Sequence, residues 1–313
     1  MKPIVTLTIN PTIDLATTVE EVTPEHKLRC EPERRDPGGG GLNVARVIQE
    51  LGGASLAIYP RGGPTGALLE HLLEQKGLRR WGINISGHTR ENFTVAEKKS
   101  DREFRFVMPG PTLTQAEWQE CLQTLSTVAA DAEYIVASGS LAPGVPVDFY
   151  ARVAQVARKQ NARLVLDTSG EPLRAALEEG VFFAKPNRKE FRDMMGTRVD
   201  DPAAMAEAAR NFLEKGRAEL LVVSMGADGA LLTTRTGQYR ATPPPVETHS
   251  SVGAGDSFVG GMTFGLSRGL PVEEAFRWGI ASGTAALLSS GTDLCAREHV
   301  ERLFSQVQPV RLA

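Results

Sequence analysis

The chain reads as an α/β protein: a doubly wound, mainly parallel sheet flanked by helices, with a small discontinuous β layer added. Three observations predict this. From about residue 115 onward, short apolar β-branched runs alternate with helical stretches. The first 110 residues instead carry polar–apolar alternation, which marks a sheet with one wet face. At 313 residues, with 41% hydrophobic and 23% charged residues, the chain suits one large α/β unit better than two independent domains.

In chain order, alternation occurs in Val5–Ile9, in Lys27–Pro32 and in Phe93–Val107, notably Phe104-Arg105-Phe106-Val107. These pieces predict a projecting β layer assembled from about 5–18, 27–36 and 93–107 within a single domain of residues 1–313. The helical part opens at Thr114, where Thr114 and Glu117 make a capping box ahead of Trp118–Val128. Tyr134–Ala137, Leu164–Asp167, Phe182–Lys185 and Leu220–Ser224 are apolar throughout, as strands buried on both faces must be. Helices are expected over Val147–Lys159 and over Pro202–Lys215, the latter with Asp201 as N-cap and Pro202 at its first position. Strand-then-helix repetition implies right-handed βαβ crossovers.

Composition excludes several functions. A net charge of −3 offers no basic surplus for a nucleic-acid backbone. Cys30, Cys121 and Cys295 are too few and too scattered for a disulfide framework or a metal site, and fit reduced thiols. No run approaches 18 apolar residues, and MKPIVTLTIN has no signal-peptide core, so a cytoplasmic protein without a membrane partner is expected. His26, His71, His88, His249 and His299 suggest no triad or zinc set.

Glycine is the outlier, at 31 residues. Ser250 to Ser257 reads SSVGAGDS and opens an apolar helical run, Phe258–Leu266. Small residues let backbone approach a ligand, and the helix they open presents unpaired N–H groups and the positive end of its dipole to an anion. A carboxylate directly after such a loop, Asp256, is placed to accept a proton from an attacking hydroxyl; the same residue could serve only to stabilise the helix start. The second run, Pro37-Gly38-Gly39-Gly40-Gly41-Leu42-Asn43, also opens a helix. The residues before it, EPERRD, are no buried strand, and no G-x-x-x-x-G-K-S/T occurs, so dinucleotide and P-loop readings fail. What remains is a backbone-lined pocket with an amide, suited to hydroxyls, or a plain turn.

Together these segments resemble the PfkB, or ribokinase-like, family of carbohydrate kinases. GGGLNVA with Gly52 and Gly62 following, and SSVGAGDSFVGGMT, match its two signatures. TLTINPTIDLA, EHKLRC, FRFVMPG, VASGSLAPGV, LDTSGE, KPNRKE and VSMGADGA are similar to the 6-phosphofructokinase (isozyme 2 type) branch. Gly40 stands where 1-phosphofructokinases and tagatose-6-phosphate kinases typically carry lysine.

The resemblance implies a ribokinase-like fold whose β layer serves as a lid, and ATP-dependent phosphorylation of fructose 6-phosphate at its 1-hydroxyl, a glycolytic step. It makes Asp256 the base and Gly253, Ala254 and Gly255 the anion hole. It places Asp14, Gly39 and Asn43 on the sugar, and Lys27, Arg90 and Ser140 on its phosphate, with Arg29 and Arg105 as helpers; Arg90 suits phosphate best through its planar fork. It puts Lys185, Asn187, Ser224, Gly226 and Gly229 at the nucleotide, with Asp167 facing the same crevice. Asn187 and Glu190 are implied ligands of magnesium, through water, since Mg2+ dehydrates reluctantly. Ser250, Val252, Ala286, Ser289 and Gly291 are implied to hold a monovalent cation, K+, through carbonyls, although Asp293 stands where the branch tends to be basic. Exposed layer edges imply a homodimer through the lid. The alternatives are a 1-phosphofructokinase or tagatose-6-phosphate kinase. A catalytically silent sugar-phosphate sensor is a further reading, but it predicts damage to the anion loop and the loop is intact.

Overall fold

The computed structural model describes residues 3–196, 201–289 and 291–312. Strands β1 (Ile4–Leu7), β4 (Leu56–Arg61), β5 (Arg80–Asn84), β8 (Tyr134–Ser138), β9 (Arg163–Asp167), β10 (Val181–Ala184) and β11 (Ala218–Ser224) pair in parallel. Strands β12 (Ala230–Thr233), β13 (Gln238–Ala241) and β14 (Val310–Arg311) continue the sheet antiparallel, in the order β14-β13-β12-β11-β10-β9-β8-β1-β4-β5. The apolar runs predicted as strands occupy β8 to β11, and their side chains are buried alternately to either face. On one face Ile4, Tyr134, Val136 and Phe183 pack with residues of α1 (Gly40–Glu50), α8 (Ala254–Ser267), α9 (Val272–Ala286) and α10 (Arg297–Phe304). On the other, Val5, Leu7, Ile135 and Leu166 meet α3 (Gln115–Val128), α4 (Phe149–Lys159), α5 (Gly170–Glu179) and α7 (Pro202–Glu214). This double coverage is what an all-apolar strand requires. Among the described residues no helix is long and apolar enough to cross a membrane.

The predicted helix signals are realised as hydrogen bonds. Thr114 and Glu117 form a reciprocal capping box at the start of α3, and Asp201 accepts from the Ala204 N–H at 2.9 Å to cap α7.

The small sheet has four strands in the order β3-β2-β6-β7: β2 (Thr12–Val19), β3 (Arg34–Gly38), β6 (Arg90–Glu97) and β7 (Arg102–Phe106). Its expected boundaries need two corrections. The stretch from Ile4 to Leu7 lies in the middle of the main sheet, between β4 and β8, and is wholly buried. Its alternation misleads because Thr6 faces the packed interior rather than water. Residues 27–33 form no strand; pairing begins at Arg34, after Pro32, which has no amide hydrogen to give a ladder. On one face of this sheet Ile13 and Leu15 pack against Leu42 of α1 and against Leu69 and Leu73 of α2 (Gly63–Gln75). Period-two alternation turns Asp14 and Asn92 to the other face, where the parallel β2–β6 register sets them side by side.

Strand order reverses at β1, which has β4 on one side and β8 on the other. A crevice therefore opens at the carboxyl ends of these strands, the position where open α/β sheets bind ligands.

Candidate active site

The run Gly38–Gly41 is what allows α1 to start against the main sheet. A Cβ on Gly40 would lie 2.2 Å from Ser138 Oγ and 2.9 Å from the Gly139 nitrogen, and one on Gly41 would lie 2.4 Å from the Leu7 carbonyl. Gly39 has φ +109, a backbone state that disfavours a side chain. Gly38 serves a different group: a Cβ there would overlap Asp14 Oδ2. The Asp14 carboxyl is half-buried and accepts from Asn92 Nδ2 at 3.0 Å. Burial raises its pKa, and the Asn92 bond and the charges of Arg90, Arg105 and Arg46 oppose that rise.

Across the crevice, Gly253 (φ +73) caps α8, and Asp256 lies in the helix's first turn. Asp256 Oδ2 accepts from Asn43 Nδ2 at 2.8 Å, joining two segments 213 residues apart. Asn43 is thus engaged with the expected base through one of the two hydrogens of its amide. Desolvation pushes the Asp256 carboxyl up to about 7, helped by the nearby Asp167 charge; the Asn43 bond and Lys185 act the other way, and Asp14 adds to the rise. Lys185 Nζ pairs with Asp167 Oδ1 at 3.2 Å, both side chains largely buried. The ammonium also lies 3.5 Å from where a Gly255 Cβ would be, so the loop and this cation bound one space that any side chain at 255 would fill. The first N–H groups of a helix lack partners within it, and here that turn borders the same space.

The expected phosphate corner is partly assembled. Arg90 donates from Nη1 to the Met108 carbonyl at 2.6 Å and from Nη2 to the Asn10 carbonyl at 2.9 Å, while its buried Nε has no partner. Asn10 Nδ2 reaches Ser140 Oγ at 3.5 Å, and Asn10 Oδ1 is buried and unsatisfied. Two orphaned polar atoms on neighbouring residues mark a place that lacks a partner. Asn10, which the sequence reading passed over, belongs to this corner; its signal was the Asn-Pro step after β1. Lys27, Arg29 and Arg105 are exposed, and the structure does not bring Lys27 into contact with the corner.

On the nucleotide side, a cavity of about 390 Å³ is lined by Lys185, Ser224, Gly226, Gly229, Phe258 and Leu287, among others. Gly229 (φ +88) lies against the Ala241 carbonyl, where a Cβ would come within 2.0 Å. Asn187 and Glu190 form a capping box at the start of α6 (Arg188–Met195), with Asn187 Oδ1 accepting from the Glu190 N–H at 2.9 Å and Glu190 Oε2 from the Asn187 N–H at 2.8 Å. Among the described residues no group of three or more His, Cys, Asp or Glu could hold a metal ion. The Ser250–Val252 loop and the end of α9 run together, joined by the His249 N–H donating to the Leu287 carbonyl at 2.8 Å.

Comparison with known proteins agrees with this arrangement. The model of the pfkB family carbohydrate kinases matches residues 4–299. The chain belongs to the PfkB family of carbohydrate kinases. This kinase is 46% identical over 301 residues to a protein of Mycobacterium tuberculosis named ATP-dependent 6-phosphofructokinase isozyme 2, covering 96% of this chain and 88% of the relative. A protein of the same name from Escherichia coli is 39% identical, over 97% and 99% of the two chains. A Bacillus subtilis 1-phosphofructokinase is 36% identical over 99% of this chain and all of the relative. Among solved structures, E. coli phosphofructokinase-2 in complex with potassium superposes with a TM-score of 0.94, at 39% identity and 98% and 99% coverage. The fold is therefore ribokinase-like, and the protein is an enzyme.

The raised Asp256 pKa also makes a stability prediction. Unfolded, this carboxyl titrates near 3.8, and folded near 7. Between those values the folded chain holds a proton that the unfolded chain has lost, so its contribution is complete below about pH 3.8 and is lost as pH rises through about 7. Asp256→Asn has no such loss. Its melting temperature relative to the unsubstituted protein is expected to climb between pH 4 and 7 and then level off, as differential scanning calorimetry across a pH series will show.

Proposed function

We propose that the kinase transfers the γ-phosphoryl group of MgATP to the 1-hydroxyl of fructose 6-phosphate, with Asp256 as general base. One observation carries the reading: a desolvated carboxylate near its neutral point stands between an anion-shaped helix start and a corner lined by Asp14, Arg90 and Ser140. A base is most effective when its pKa lies near the working pH. The relatives named 6-phosphofructokinase isozyme 2 cover nearly the whole chain, and an E. coli phosphofructokinase-2 has been solved in complex with fructose-6-phosphate.

In this reading Asp14 accepts from sugar hydroxyls, and Arg90 and Ser140 receive the 6-phosphate, satisfying Arg90 Nε, while Asn10 holds Ser140 in place. The sugar's 1-hydroxyl proton passes to Asp256, its oxygen bonds to the γ-phosphorus, and the bond from that phosphorus to the β–γ bridging oxygen breaks, releasing ADP. Charge on the transferring group falls between the α8 N–H groups and Lys185. Magnesium, bound with the phosphates, supplies further neutralisation; Asn187 and Glu190 fit it only through water, since their capping box uses Asn187 Oδ1 and one Glu190 oxygen. The adjoining carbonyl segments at Ser250, Val252, Ala286, Ser289 and Gly291 suit a potassium ion. The small sheet acts as the lid.

Gly40 favours this substrate over fructose 1-phosphate. A lysine there, which the resemblance associates with 1-phosphofructokinases, would begin 2.2 Å from Ser138 Oγ. Cross-strand Phe93 and Phe106, with Val107 and Met108, leave an apolar patch 40–64% exposed on the lid. Such a patch suits a second copy of the chain and hence a homodimer.

Rates with MgATP against fructose 6-phosphate, fructose 1-phosphate, tagatose 6-phosphate and fructose are expected to give the highest kcat/KM for fructose 6-phosphate. Asp256→Asn should lower kcat by about 10²–10⁴-fold. A preference for another ketose phosphate would overturn the reading of Gly40, and an active Asp256→Asn would overturn the base. Sedimentation velocity should give a dimer that Phe106→Glu converts to monomer; a monomeric parent protein would sink the lid interface.

A further inference from the structure

We infer that Arg46 is a positioning residue for the base: by donating to Asn43 Oδ1 it fixes the Asn43 amide so that Nδ2, and not the oxygen, faces Asp256. The inference rests on the reading of Asp256 as base. An amide side chain fits its space nearly equally well in two orientations and is held in one only by its partners. Here Asn43 Nδ2 is 2.8 Å from Asp256 Oδ2, and Arg46 Nη1 is 3.1 Å from Asn43 Oδ1. A guanidinium has donors and no acceptor. The flipped amide would therefore set its oxygen against a carboxylate oxygen and its NH₂ against the guanidinium, leaving both contacts repulsive.

Arg46 is itself fixed. The same Nη1 donates to the Pro37 carbonyl at 2.7 Å, at the mouth of the glycine run, and the negative charges of Asp36, Asp293 and Asp14 oppose, without cancelling, the effect of its burial and of the like charge of Arg34. One turn of α1 separates Asn43 from Arg46, so a helix held by the Gly38–Gly41 approach delivers both groups together. The charged groups facing Asp256 are Asp167 of β9, Lys185 after β10 and Asp14 of β2; Asn43 is its neutral donor from α1. With the amide fixed, one Asp256 oxygen is committed to Asn43 and the other is left for a substrate hydroxyl. Without it, the donor that opposes the other carboxylates is lost and the ionised base is disfavoured.

The test measures kcat, both KM values and the pH profile of kcat/KM for Arg46→Met, Arg46→Lys, Asn43→Ala and the Arg46→Met/Asn43→Ala double variant, with Asp256→Asn alongside. Arg46→Met is expected to lower kcat by about 10²-fold, the scale of a misplaced catalytic group, to leave the nucleotide KM unchanged, and to move the acid limb to higher pH. Arg46→Lys should restore the limb and most of kcat, and Arg46→Met should cost nothing further in the Asn43→Ala background. Wild-type kcat in Arg46→Met, a loss with an unmoved limb, or losses that multiply in the double variant would each overturn the inference and leave Arg46 a support for the Pro37 turn. Should Arg46→Met fail to fold, Arg46→Gln is read by the same criteria. Turnover by Asp256→Asn would instead show that the reading of the base has failed.

Discussion

A carboxylate in the first turn of a helix is ordinarily kept ionised by the dipole and by nearby N–H donors. At Asp256 the surroundings reverse that preference. Packing between α1 and α8 leaves the carboxyl only partly open to water, Asp167 and Asp14 add negative charge, and Asn43 and Lys185 resist, so the carboxyl is raised to about 7. The rest of the site depends on this balance. If Lys185 were not itself neutralised by Asp167 at 3.2 Å, its charge would pull the carboxyl down and weaken it as a base. If Asn43 were turned or absent, the ionised form would lose the amide donor that now favours it.

The glycine runs make that arrangement possible by their shape. Gly40 and Gly41 let α1 descend onto the ends of β8 and β1, and Gly260 and Gly261 let α8 lie against Val47 of α1 and Ser282 of α9. The small sheet is tied to the same place. Arg34 and Asp36 on β3 form a linked set with Asp293 and Thr292: Arg34 Nη1 donates to Asp293 Oδ2 at 2.6 Å, Arg34 Nε is 2.7 Å from Asp36 Oδ2, and Thr292 Oγ1 donates to buried Asp36 at 2.7 Å. Asp293, which departs from the basic residue expected by resemblance, thus has its basic partner, Arg34, on β3. The segment beside the carbonyl-lined loop and the small sheet are one hydrogen-bonded unit, so the position of one constrains the other.

Much of the fold was legible because its determinants are local. Apolar β-branched runs, the Thr114–Glu117 box and the Asp201-Pro202 start each announce an element within a few residues, and the two glycine loops announce close backbone approach. The errors arose where a local pattern has two causes. Thr6 and Thr8 mimic a wet face inside a buried strand. Asn187-x-x-Glu190 is a different case: its spacing serves a capping box, which the structure forms, and the same pair still suits a magnesium ion held through water. Pairings across long separations left no local trace: Asp14 meets Asn92 through strand register, Asn43 meets Asp256 through helix packing, and Arg90 turns to the carbonyls of Asn10 and Met108. Arg46 was visible only as one more cation beside a signature, because its role depends on which atom of Asn43 it faces.

Proton transfer at this site depends on the charge state of a single carboxyl, and that state can be observed directly. With ¹³C-labelled aspartate, the carboxyl resonance of Asp256, assigned by its absence in Asp256→Asn, should titrate in the unliganded protein with a midpoint near pH 7. A midpoint near 4, the ordinary aspartate range, would contradict the account, because the carboxyl would then be a stably ionised helix-start residue and not a base poised for proton transfer.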